Sequence, residues 1–167
     1  MKIRADEHVS LEIVRAVRDI ALTPPFELSH VFDDGHGGLG DVSWVTKFAD
    51  AGGRAILSAD GDFLNRPHQV MAIWNKQLVL IHLPGKWQNA KRHEQAAHIL
   101  LWWGRIEKTL GTASARQCWR VPYEFSREAD LVRISVDYGK AQKKVRKAER
   151  RAEQPQPDAP PEGSQPG

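Results

Sequence analysis

Four short strand-like runs, at residues 2–5, 26–32, 54–58 and 78–83, are separated by stretches whose apolar residues recur at helical spacing. That rhythm constrains the fold more than any other feature. Strands joined through helices pair in parallel, and a parallel sheet needs helices on both faces. The first run, Lys2-Ile3-Arg4-Ala5, leads into Asp6-Glu7-His8. Ser10 then reads as an N-cap, followed by Leu11, Val14, Val17 and Ile20 on one helical stripe. Pro24-Pro25 ends that unit, and Phe26 to Phe32 alternates with period two. A glycine-rich loop from Asp33 to Gly40 closes on Asp41, which reads as the N-cap of a helix carrying Trp44, Val45 and Phe48. The apolar run Ile56-Leu57-Ser58 ends in Ala59-Asp60-Gly61-Asp62-Phe63, a helix follows Pro67, and Leu78 to Leu83 is a buried strand.

The expected class is therefore α/β: three layers, with a mostly parallel central sheet flanked by helices. A long helix is expected from about Gln88 to Leu110, and an edge strand over Gln117 to Val121. Trp102 and Trp103 cannot share one helical face; both in the core is the leading reading, and one on a partner surface the alternative. At 167 residues the chain suits one domain. The domain is placed at residues 1–125, a basic helical extension at 126–153 and a disordered tail at 154–167, which is rich in Pro, Gly and Gln. Residues 140–153 hold seven Lys or Arg against two Glu, so they carry more positive charge than the net +3 of the whole chain. The body is thus near neutral, and the tail is its strong attractor for anions. A single cysteine, Cys118, cannot form an internal disulfide. No apolar run approaches the roughly 18 residues of a membrane span. A cytoplasmic protein without membrane contact is expected.

The acids fall where they matter. In an open parallel sheet, ligands bind beyond the carboxyl ends of the strands. Asp6 and Glu7 follow the first strand, Asp60 and Asp62 follow the third, and Asp41 opens a helix after the second. Three segments thus aim carboxylates at one edge. Gathering carboxylates is costly, because like charges raise each other's pKa. A divalent cation removes that cost, and Mg²⁺ or Mn²⁺ held by oxygen ligands activates water for attack on phosphorus. Each acid also has a plainer role: Asp41 as a helix cap, Asp60-Gly61 as a turn pair, Asp62 as a cap of the next turn. Convergence of the three segments favours the metal.

These motifs resemble the PIN-like domains of the compact, VapC-related type over about residues 1–110. In that family a strand ends in Asp-Glu-Asn before a helix, a later helix opens on an acid, and a hydrophobic strand ends in Thr-x-Asp-x-Asp-Phe. Here Asp6-Glu7-His8, Asp41 and Ser58-Ala59-Asp60-Gly61-Asp62-Phe63 occupy those places. The resemblance implies a metal-dependent ribonuclease, often the toxin of a toxin–antitoxin pair. It implies catalytic acids at Asp6, Asp41, Asp60 and Asp62, with metal held by Asp6, Asp41 and Asp62, and Glu7, His8 and Ser58 in support. His8 stands for Asn and Ser58 for Thr, and the helical glutamate of longer PIN domains has no good counterpart among Glu12, Asp19 and Glu27. Arg66, Lys86 and Arg92 are candidate RNA contacts, and RNA, an antitoxin protein and a second copy of the chain are the expected partners. Two alternatives stand beside the nuclease: an inactive PIN-like module that binds RNA or protein, and a receiver-type phosphoacceptor domain.

Overall fold

The computed structural model describes residues 1–33 and 40–153. The glycine loop at residues 34–39 and the proposed tail at 154–167 lie outside them. Six strands form one sheet: β1 (Lys2–Ala5), β2 (Glu27–His30), β3 (Gly53–Ser58), β4 (Val79–His82), β5 (Cys118–Arg120) and β6 (Val132–Ile134). Their order is β2-β1-β3-β4-β5-β6; β1 to β5 run parallel and β6 pairs antiparallel with β5. The helices are α1 (Leu11–Ile20), α2 (Asp41–Asp50), α3 (Pro67–Asn75), α4 (Arg92–Thr112) and α5 (Tyr138–Ala152). The expected α/β class with a mostly parallel sheet is what forms.

Period-two alternation splits the core into two slabs. Leu57 and Ile81 face α1 and α4, packing with Ile13, Val14, Val17, Ile99, Trp103 and Leu110. Their neighbours Ile56 and Leu80 face the opposite way, onto Trp44, Val45 and Phe48 of α2 and Ile73 of α3. Gly53, which opens β3, has to be glycine: a Cβ there would meet the Phe48 ring at 2.5 Å. α5 docks against α3, with Ala141 buried beneath it.

Several expectations shift. The long helix begins at Arg92 rather than Gln88, because residues 85–89 wind into a 3-10 turn that buries Trp87. The Glu94 carboxylate accepts from the backbone N–H of Lys91 at 2.8 Å and starts α4 there. Trp102 and Trp103 are both fully buried. Trp103 faces the sheet-side core and donates to Glu107 at 2.8 Å. Trp102 is covered by the segment after β5, with the Phe125 ring edge-on at 5.4 Å, so a second layer of chain makes the other face interior too. The strand at Gln117 to Val121 forms as β5, but it is not the edge. Residues 132–134, within the stretch assigned to a helical extension, add β6 outside it. β6 is largely exposed and three residues long, which leaves little alternation to read. Among the described residues, no helix is long and apolar enough to cross a membrane.

Candidate active site

The strand order reverses between β1 and β3: from β1 the chain steps to β2 on one side, and β3, β4 and β5 continue on the other. Such a switch point opens a crevice at the carboxyl ends of the strands. Asp6 sits in it. Its backbone N–H donates to the Leu57 carbonyl at 3.0 Å, carrying the β1–β3 ladder one residue further and fixing where the side chain starts.

The Asp6 side chain is only 5% exposed. One oxygen accepts from the backbone N–H of His8 at 3.0 Å, and the other accepts from the Ser58 hydroxyl. His8 Nδ1 lies 3.8 Å from that second oxygen. Burial pushes the carboxyl up to about 6, against the partial relief given by the Ser58 hydroxyl, His8 and the backbone N–H groups of His8 and Ala59. Ser58 Oγ also accepts from the backbone N–H of Asp60 at 3.1 Å. One hydroxyl therefore ties the acid after β1 to the turn after β3.

Asp60 and Asp62 part company in that turn. The Asp62 N–H folds back to Asp60 Oδ1 at 2.9 Å, leaving Asp60 buried and Asp62 exposed. Asp60 is further held by His82, whose Nε2 lies 2.9 Å from its carbonyl oxygen. The Asp62 carboxylate accepts instead from Asn65 Nδ2 at 3.3 Å. Asp41 is the first residue of α2 and not its cap, which is Gly40. Its side chain is thereby released for tertiary contacts: Oδ1 accepts from Trp44 Nε1 at 3.3 Å, and Oδ2 accepts from Gln69 Nε2 and from Arg66 Nη1, the latter at 3.2 Å. The same Arg66 nitrogen lies 3.4 Å from Asp60 Oδ2. Arg66 thus joins the acid that opens α2 and the acid that follows β3 as their counter-charge.

Asp6, Ser58, Asp60, Asp41 and Arg66 form one connected group; Glu7 and Asp62 lie on its exposed rim. Arg92 is drawn elsewhere, pairing with Glu12 at 2.8 Å between α4 and α1. Lys86 sits beyond β4, 5.9 Å above the Tyr123 ring. Gln69, Gln88 and His82 went unrecognised in the sequence, as lone polar residues on helices or strand ends carry no spacing signal. Gln69 clamps Asp41, and Gln88 donates to the Ala59 carbonyl beside Asp60. Among the described residues, no three His, Cys, Asp or Glu side chains converge as a metal-holding group.

Fold and site together define a doubly wound α/β domain with acids gathered at its topological switch point. The family described as a PIN-like domain matches residues 1–85, half of the chain, and the chain belongs to that family. PIN domains are generally nucleases and typically use divalent metal ions. No match to the chain is found among curated proteins or among solved structures.

Proposed function

We propose that the chain is a metal-dependent ribonuclease, with Asp6 and Asp60 as its central acids and Asp41 as the third. The observation that carries this is the Ser58 hydroxyl, which binds the Asp6 carboxylate and the Asp60 backbone in one buried unit at the switch point. The donor set suits a hard cation. Asp41 Oδ2 and Asp60 Oδ2 converge on one positively charged nitrogen, and Mg²⁺ is commonly held by one or two carboxylates plus water and substrate phosphate. Bound there, such an ion would supply an activated water and charge stabilisation at phosphorus. The protein's own groups do the rest: Ser58 and the His8 N–H orient Asp6, Gln69 orients Asp41, and His82 holds the Asp60 turn. Asp62, exposed and bonded to Asn65, takes a supporting part in this proposal. A toxin role within a toxin–antitoxin pair is the biological setting this proposal favours, with a protein antitoxin as the natural partner.

The test is cleavage of labelled single-stranded and structured RNA by the full chain with Mg²⁺, with Mn²⁺ and with EDTA, beside Asp6→Asn. Cutting that needs metal and is lost in Asp6→Asn supports the proposal. No cutting, or cutting that survives Asp6→Asn, refutes it. A second reading, an inactive PIN-like binding module, is favoured by Arg66, which already neutralises Asp41 and Asp60. RNA binding without cutting in the same assay is its signature.

A further inference from the structure

A second feature lies on the same sheet edge, two strands away from Ser58. In the sheet register Ser58 pairs with His82 and His82 with Arg120. Adjacent strands lie about 4.8 Å apart, so Arg120 stands about 10 Å from Ser58 along the edge that carries Asp60. Arg120 is exposed at the end of β5, and among the described residues its guanidinium is in no ion pair. Beside it, the turn after β4 presents Lys86, and the chain leaving β5 presents Tyr123. Together with Pro84, Pro122 and Glu124 these residues line an open cleft of about 390 Å³.

Tyr123 is built as a platform. Its ring is stacked on His98, with centroids 5.8 Å apart and planes 27° apart. The imidazole is itself fixed by an Nε2 contact to the Pro122 carbonyl oxygen at 2.8 Å. The tyrosine nevertheless remains 43% exposed. An aromatic ring backed by His98, 43% exposed, with an exposed lysine 5.9 Å above it and an arginine in the same cleft, can take a nucleobase once the lysine swings aside onto a phosphate. Arg92 makes the contrast: it is also basic and exposed, but a carboxylate already uses it.

We propose that the Lys86–Arg120–Tyr123 cleft is a single-strand subsite, in which Tyr123 stacks one base while Lys86 and Arg120 hold the adjoining phosphates. The strand then runs along the sheet edge toward Asp60 and Asp6, with Gln88, bonded to the Ala59 carbonyl, between the two. This rests on the nuclease proposal for its direction, and what it adds is a place on this chain, outside the acidic group, where one unpaired base is held.

The experiment is fluorescence anisotropy of the full chain with a labelled single-stranded oligoribonucleotide and a duplex of equal length, in EDTA so that nothing is cut. Tyr123→Ala is expected to weaken single-strand binding by about ten- to a hundredfold while leaving duplex binding nearly unchanged. Tyr123→Phe is expected to bind like the parent, because the ring and not the hydroxyl does the stacking. Lys86→Gln is expected to lower the slope of log Kd against log salt by about 0.7, the value for one phosphate on a single strand. Tyr123→Ala binding like the parent, or Tyr123→Phe as weak as Tyr123→Ala, overturns the subsite. If the parent cuts RNA in an Asp6-dependent way while Tyr123→Ala is unaffected, only the subsite falls. If the parent neither binds nor cuts RNA, both proposals fall.

Discussion

Asp6→Asn should make the protein more stable at neutral and alkaline pH, even though it removes the residue on which catalysis is proposed to turn. In the folded chain the Asp6 carboxyl is raised from 3.8 to about 6 by burial. An unfolded chain releases that proton near the lower value. Between the two, the folded state binds more protons than the unfolded state, so stability falls as pH rises. The contribution of the protonated carboxyl is complete below 3.8 and is lost as pH climbs through about 6. At roughly 1.4 kcal/mol per tenfold change in proton affinity, the full swing is about 3 kcal/mol. Asparagine has the same shape and no charge to desolvate, so it escapes this penalty. It keeps one acceptor oxygen for two donors, the Ser58 hydroxyl and the His8 N–H, and the lost bond costs about 1 kcal/mol. The net expectation is a gain of about 1–2 kcal/mol at about pH 8, or a rise in Tm of a few degrees, shrinking to nothing or reversing near pH 4. Urea unfolding of both proteins across that range, without divalent ions, reads it directly. A difference that does not vary with pH, or a variant less stable near pH 8, would refute the burial of Asp6 as the source of the shift.

Two further outcomes follow from the same geometry. Arg66→Gln removes the cation shared by Asp41 and Asp60, so Mn²⁺ affinity measured by calorimetry should rise several-fold; an unchanged affinity would mean that guanidinium and metal do not compete. Trp102→Ala should cost about 3–5 kcal/mol because its ring is wholly interior, whereas Leu101→Ala, one residue away and 55% exposed, should stay within about 0.5 kcal/mol; equal costs would contradict the second layer of chain over α4.

The parts of this site that were legible in the sequence are those that depend only on where a strand stops. Ile3 to Ala5 and Ile56 to Ser58 read as strands, and that alone puts Asp6 and Asp60 at one edge. What could not be read was the direction of each side chain once the strand has ended. Asp60 and Asp62 look equivalent in Asp-Gly-Asp, and only the Asp62 N–H returning to Asp60 Oδ1 turns one inward and the other out. Asp41 reads both as a cap and as a metal-binding acid, because a helix start offers an acid that local role; with Gly40 holding the cap position, the carboxylate is free for Trp44, Gln69 and Arg66. Arg66 shows the limit most clearly. A basic residue after an acidic motif reads equally well as a phosphate contact or as a counter-ion, and which anion lies nearest is decided by tertiary packing alone. Its side chain is half exposed and reaches the acids through a single nitrogen. Its hold on Asp41 and Asp60 is therefore one a divalent ion can displace at modest cost, since partly exposed pairs contribute little stability. In the proposed nuclease, the guanidinium that compensates the acids in the free protein would then be released close to the phosphate of a bound substrate, and counter-ion and phosphate contact would be successive roles of one residue.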